Sequence, residues 1–170
     1  MSDALWSWTA RRLADAIRHG AVSSREAVAA SLERVHAVNP KLNAIVDLLA
    51  DDALKAAEAA DAARRRGDTL GLLHGVPVTV KVNVDMQGRA TTNGVVAFKD
   101  NIAAEDSPVV ANLRRAGAVI IGRTNTPAFS VRWFTENDLH GRTLNPWSRG
   151  HTPGGSSGGS AAALAAGMVP

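Results

Sequence analysis

A chain of 170 residues is one domain's length, or a piece of something longer, and 45% hydrophobic with 21% charged side chains is the balance of a folded soluble protein, which excludes native disorder. Nineteen basic against sixteen acidic residues leave a net charge of only +3, and 4% aromatic residues without a tyrosine offer no surface for stacking bases, so nucleic acid is not an expected partner. The absence of cysteine excludes disulfides, thiolate metal sites and a cysteine nucleophile, and no apolar run approaches the roughly 20 residues that span a bilayer. The cytoplasm is the expected location, with no membrane partner.

In chain order, Ala10, Leu13, Ala14 and Ile17 recur at helical spacing, with Gly20 as the stop. Ser23 and Glu26 have capping-box spacing ahead of Val28, Leu32 and Val35, and Asn39-Pro40 closes that second helix. Residues 42–49 read as a short strand. The alanine-rich residues 51–66 read as a third helix, whose closing Arg64-Arg65-Arg66 places cations at the carbonyl end of the helix dipole before Gly67. From Gly75 the period changes to two: Val76, Val78, Val80 and Val82 fall on one face and Pro77, Thr79 and Lys81 on the other, which is the pattern of a strand. Asp106, Ser107 and Pro108 open a helix that runs to Arg115, and Gly117 leads into a strand over 118–121. A helix between two apolar strands marks an α/β fold. Residues 124–153 read as loop, followed by Gly154-Gly-Ser-Ser-Gly-Gly-Ser160 and an alanine helix over 161–166.

Three chemistries compete for the run 154–160. A flexible linker joins independent units, whereas this run passes directly into a helix. A phosphate-binding loop needs a lysine after its last glycine, and here Gly159 is followed by Ser160 and Ala161. A catalytic loop would hold serine hydroxyls against a base. His19, His36, His74, His140 and His151 form neither a metal spacing nor a Gly-x-Ser-x-Gly elbow, and surface or packing roles are expected for them. Lys81 is the better candidate, because burial beside valines disfavours the charged amine and leaves a lone pair able to take a proton. The competing reading is an edge-strand lysine with its amine in water. Residue pattern alone does not connect Lys81 to Ser156.

The segments Leu73-His-Gly-Val-Pro-Val-Thr-Val-Lys81, Asp106-Ser-Pro-Val-Val110, Leu113-Arg-Arg-Ala-Gly-Ala-Val-Ile-Ile-Gly-Arg-Thr-Asn125, Asn145-Pro-Trp147 and Pro153-Gly-Gly-Ser-Ser-Gly-Gly-Ser160, in this order and spacing, resemble the amidase signature family. The resemblance runs from the N-terminal helices through Gly167. It implies an α/β fold in which a helical N-terminal region, residues 1–70, precedes part of a mixed central sheet flanked by helices, residues 71–170. It also implies a serine hydrolase that cleaves small linear amides through an acyl-serine, with a Ser, cis-Ser, Lys triad and no cofactor or metal. By the resemblance Lys81 matches the general base and Ser156 the bridging serine, with a cis peptide before it. Ser157 is expected to support the network and Ser130 to line the substrate pocket.

The family's nucleophile serine, with the glycine-rich N–H groups of the oxyanion hole, falls some two dozen residues beyond Ser156 and therefore past Pro170. The chain is accordingly expected to be the N-terminal part of an amidase, inactive alone and open to self-association through an uncovered core. Val82 and Ala128 stand where many members carry acidic residues, which bears on substrate preference. The rival expectations are a non-catalytic, partner-binding product and a phosphate or nucleotide-binding module built on residues 154–160.

Overall fold

The computed structural model describes residues 4–170. Helix α1 (Ala10–His19) starts where the Thr9 hydroxyl accepts from the Arg12 N–H at 3.2 Å and stops at Gly20, whose φ of 74° suits the left-handed cap. Helix α2 (Ser24–Val38) carries the anticipated capping box: the Ser23 N–H donates to the Glu26 carboxylate at 2.8 Å and the Glu26 N–H donates to the Ser23 hydroxyl at 3.1 Å. The Ser23 N–H and, at 2.7 Å, the Ser23 hydroxyl both donate to the Glu26 carboxylate and hold that carboxyl below the usual carboxylate range. The α2 N-terminus gains a second anion from a distance in sequence, because Asp61 accepts from the Ser24 and Arg25 N–H groups at 2.7 and 3.1 Å.

Strand β1 (Ile45–Leu48) and helix α3 (Ala50–Arg66) follow, and the three arginines fall in the last turn of α3 as expected. Strand β2 (Pro77–Lys81), helix α4 (Pro108–Arg115) and strand β3 (Val119–Thr124) form a β-α-β unit. β3 lies in the middle of a three-stranded sheet, antiparallel to β1 and parallel to β2. A strand from the first 70 residues thus completes a mixed sheet with two from the later part. A two-residue ladder, β4 (Glu136–Asn137) with β5 (Gly141–Arg142), interrupts the long loop, and helix α5 (Gly158–Ala165) closes the described fold.

Helices cover both faces of the sheet. Val119 and Ile121 pack with Val28, Leu32 and Val35 of α2, Ala53 and Ala57 of α3, and Ala162 and Ala163 of α5. On the other face Ile120 and Val80 pack with Val110 of α4, Leu49 and Met86. Val76, just before β2, joins Leu13 and Ile17 of α1 instead. The alternation of β2 therefore turns Val80 toward α4, and Lys81 follows on the face of α5.

β1 is shorter than the expected 42–49, the β4–β5 ladder falls in a stretch expected as loop, and two further elements depart from the sequence expectation. β3 runs three residues past Ile121 because Gly122, Arg123 and Thr124, polar in sequence, are all buried and internally bonded. α5 starts at Gly158, not Ala161, because its glycines carry the helix into close contact with neighbouring backbone: a Cβ on Gly159 would lie 2.5 and 2.6 Å from Asn125 O and N.

Candidate active site

Lys81 is the last residue of β2 and pairs in register with Thr124 of β3. The segment after β3 turns across the start of α5, and the Thr124 hydroxyl lies 2.7 Å from the Ser160 hydroxyl. Gly155 backs onto the main chain of residues 132–134, and Gly158 onto Thr135. The serine-bearing loop is thus pressed against residues 132–135, which is why glycines stand at 155 and 158. Nothing in that packing resembles a flexible linker.

This docking brings Ser156 over the end of β2. Lys81 Nζ donates to Ser156 Oγ at 3.1 Å, and the Gly155–Ser156 peptide is cis. Lys81 and Ser156 are both half-buried, and burial holds the Lys81 amine below the ordinary lysine value of 10.5. Among the described residues no carboxylate lies within ion-pair distance of Lys81 to oppose that shift. An amine of lowered basicity bonded to one hydroxyl has the parts of a base and its relay.

Ser130 is also brought near, though through its neighbours. Its hydroxyl lies 2.8 Å from the Thr126 hydroxyl and 3.0 Å from Asn93 Oδ1, and Thr126 Oγ1 donates to the Ser156 carbonyl at 3.1 Å. Ser157 stands apart from this network: it is exposed, and its hydroxyl makes no hydrogen bond among the described residues. It precedes α5 with φ −95° and ψ 29°, whereas an N-cap hydroxyl reaches the first helical N–H groups from an extended backbone.

A cleft of about 590 Å³ is lined by Val95, Ala128, Phe129 and Phe134 together with Arg132 and Glu136, and neither Lys81 nor Ser156 lies in its lining. Ala128 therefore presents a methyl group where an acidic residue would have changed the cleft's charge. Val82 is buried instead, and its carbonyl takes a hydrogen bond from Arg123 at 3.2 Å.

Arg123, only 1% exposed, is the largest fully buried side chain, and its guanidinium also donates to Ala90 O at 2.7 Å and Val84 O at 3.1 Å. It thereby ties the segment after Lys81 back to β3. Its Nε has no partner, Asp47 lies 3.6 Å from Nη1, and burial outweighs that carboxylate in lowering its pKa. Sequence reasoning missed Arg123, Thr124, Thr126 and Asn93, although the polar run Arg-Thr-Asn-Thr directly after an apolar strand was a visible signal. The histidines behave as expected: His74 is buried against Ala60 O at 3.0 Å, and His151 meets the Ser148 hydroxyl at 2.9 Å in an exposed loop. His140, its pKa lowered by burial, lies 3.2 Å from the Thr92 hydroxyl.

Among the described residues no cluster of three or more His, Cys, Asp or Glu side chains forms a metal site, and no helix is long and apolar enough to cross a membrane. The N-terminus of α5 is partly occupied from within, since the Gly158 N–H donates to the Thr135 hydroxyl at 3.1 Å. That donor is not free for a phosphate.

The amidase family model matches residues 26–170. An indoleacetamide hydrolase of Bradyrhizobium diazoefficiens is 59% identical over 164 residues, which is 96% of this chain and 31% of that protein. An acylamidase of Rhodococcus erythropolis is 41% identical over 162 residues, which is 95% of this chain and 34% of that protein. Among solved structures, a bacterial aryl acylamidase of the amidase signature enzymes superposes with a TM-score of 0.93 at 31% identity, covering 99% of this chain and 35% of that one. The chain spans about a third of the length of the relatives it matches. With the family model matched over most of its residues and the fold shared with a solved member, the chain belongs to the amidase signature family.

Proposed function

We propose that these residues carry the proton-relay part of an amide-hydrolysing site, with Lys81 as general base and Ser156 as the relay to a serine nucleophile. The observation that supports this best is the 3.1 Å contact between an unpaired, half-buried lysine and the Ser156 hydroxyl. A neutral Lys81 takes the Ser156 proton while Ser156 Oγ takes the proton of the attacking serine, whose oxygen bonds to the amide carbonyl carbon. When the C–N bond breaks, the proton on Lys81 returns by the same path to the leaving amine. Water then releases the acid from the acyl-serine by the same base chemistry.

In this reading the nucleophile and the N–H groups that stabilise the oxyanion belong to the part of the relatives that this chain does not span. Among the described residues no second serine hydroxyl is bonded to Ser156 Oγ. Alone, the 170 residues can move a proton and cannot form an acyl-enzyme, so no turnover is expected. The 59% identical indoleacetamide hydrolase makes indole-3-acetamide the substrate to test first.

The experiment joins this chain to the remaining two thirds of the Bradyrhizobium enzyme in place of that enzyme's own first third. The fusion is expected to hydrolyse indole-3-acetamide, and Lys81→Met and Ser156→Ala are each expected to lower kcat/KM by about a thousandfold or more. A fusion that kept its rate with Lys81→Met would refute the base assignment. Amide turnover by the 170 residues alone, abolished by Lys81→Ala, would place the nucleophile within them.

A further inference from the structure

The hydroxyls beneath Ser156 pose a problem of hydrogen count. Three contacts run in line, Thr126 Oγ1 to Ser156 O at 3.1 Å, Thr126 Oγ1 to Ser130 Oγ at 2.8 Å and Ser130 Oγ to Asn93 Oδ1 at 3.0 Å. Each contact needs one proton, and two hydroxyls supply two. The Ser156 carbonyl only accepts, so it takes the Thr126 proton. If Asn93 also accepts, it takes the Ser130 proton, and the shortest of the three contacts is left with two oxygen lone pairs facing each other.

Turning the Asn93 amide over removes the conflict. The oxygen and nitrogen of an amide fill the same shape, and their assignment follows from the hydrogen bonds they make. Among the described residues Asn93 Nδ2 has no protein acceptor, so the turn breaks no bond. Asn93 Nδ2 then supplies the third proton, and every contact has one donor and one acceptor.

The backbone around this chain is built to hold it. Asn93, Phe129 and Ser130 have φ of 48°, 57° and 58°, in the left-handed region that asparagine tolerates and phenylalanine rarely enters. The Phe129 N–H donates to Asn93 O at 2.9 Å, and the Asn93 N–H donates to Val82 O at 3.3 Å, beside Lys81. Asn93 is thereby tied on one side to the residue that follows Lys81 and on the other to the segment that carries Ser130.

We propose that Asn93, Ser130 and Thr126 form a one-way donor chain, from Asn93 Nδ2–H through the Ser130 and Thr126 hydroxyls to the Ser156 carbonyl, that fixes Ser156 against Lys81. These three are positioning residues, and Ser130 acts here through its neighbours instead of lining the cleft. The catalytic meaning of the chain rests on the relay reading given above, whereas its existence does not.

The test is NMR of the 170-residue chain, which needs no turnover. In the unmutated protein one Asn93 Nδ2 proton is expected to exchange more slowly than those of exposed asparagines; equal, fast exchange of both protons would overturn the proposal. Thr126→Val is expected to move the Ser156 carbonyl 13C resonance upfield, with recovery in Thr126→Ser. Ser130→Ala and Asn93→Asp are expected to move it the same way by less. An unmoved carbonyl in Thr126→Val would remove the chain, and an unmoved carbonyl in Asn93→Asp would reverse its direction, because aspartate can accept but cannot donate. In the fusion enzyme, Thr126→Val is expected to lower kcat with KM unchanged. Should Lys81→Met leave that enzyme active, the relay reading falls while the carbonyl shifts still report the donor chain.

Discussion

At Gly159 the docking of the serine loop is exposed to a single change. A Cβ there would lie 2.5 Å from Asn125 O, 2.6 Å from Asn125 N and 2.9 Å from Ala44 O, all backbone atoms, and the Asn125 N–H is itself bonded to Ala44 O at 2.9 Å. Ordinary carbon contacts begin at about 3.5 Å, so in Gly159→Ala helix α5 must retreat by about 1 Å. That retreat loosens Ala162 and Ala163 from Ile121 and Val119. Overpacking of this kind costs about 1–3 kcal/mol, against which alanine returns about 1 kcal/mol of helix propensity. Three backbone atoms within 2.9 Å put the cost in the upper half of that range, and the resulting net loss of about 1–2 kcal/mol lowers Tm by about 3–6 °C in a chain of this length. Differential scanning calorimetry of the variant beside the parent protein reads this directly. A Tm equal to or above that of the parent would refute the claim that these glycines exist for close approach.

Asp61→Ala leaves the Ser24 and Arg25 N–H groups at the start of α2 without their carboxylate, and charge-assisted bonds of this kind predict a loss of about 2–3 kcal/mol by urea denaturation. Lys81 has its pKa lowered by folding, so between its folded value and 10.5 the unfolded chain binds more protons and this group's contribution to stability rises with pH. The Tm of Lys81→Met relative to the parent is therefore expected to be higher at pH 7 than at pH 10.5, and a gap that stayed constant or widened with pH would contradict the sign. Trp133, Trp147 and Val131 are 87%, 82% and 76% exposed, and sedimentation is expected to show concentration-dependent association of the 170 residues, which a monomer at high concentration would refute.

The parts of the fold that could be read from sequence are those where one residue decides one local event. Gly20 and Gly67 end helices because their φ must be positive, Ser23 with Glu26 opens α2, and the valine alternation fixes which way Lys81 faces. The proximity of Lys81 and Ser156 was available only through family resemblance, because 75 residues separate them and the sheet register that joins them is not a local property. Arg123 and Thr124 were missed for a different reason. Polar side chains normally end a buried strand, and these continue it because carbonyls of Ala90, Val82 and Val80 are within their reach. Ser157 shows the reverse: the residue beside Ser156 in sequence is exposed, since the helix begins at the next position.

The most direct test of the central claim is titration of Lys81 itself. With the lysines 13C-labelled and the Lys81 Cε resonance assigned by its loss in Lys81→Met, the midpoint is expected below 10.5. Ser156→Ala is expected to alter the Lys81 titration, because the two groups share a hydrogen bond. A Lys81 midpoint at or above 10.5, unchanged by Ser156→Ala, would mean a solvated edge-strand lysine and would contradict the account.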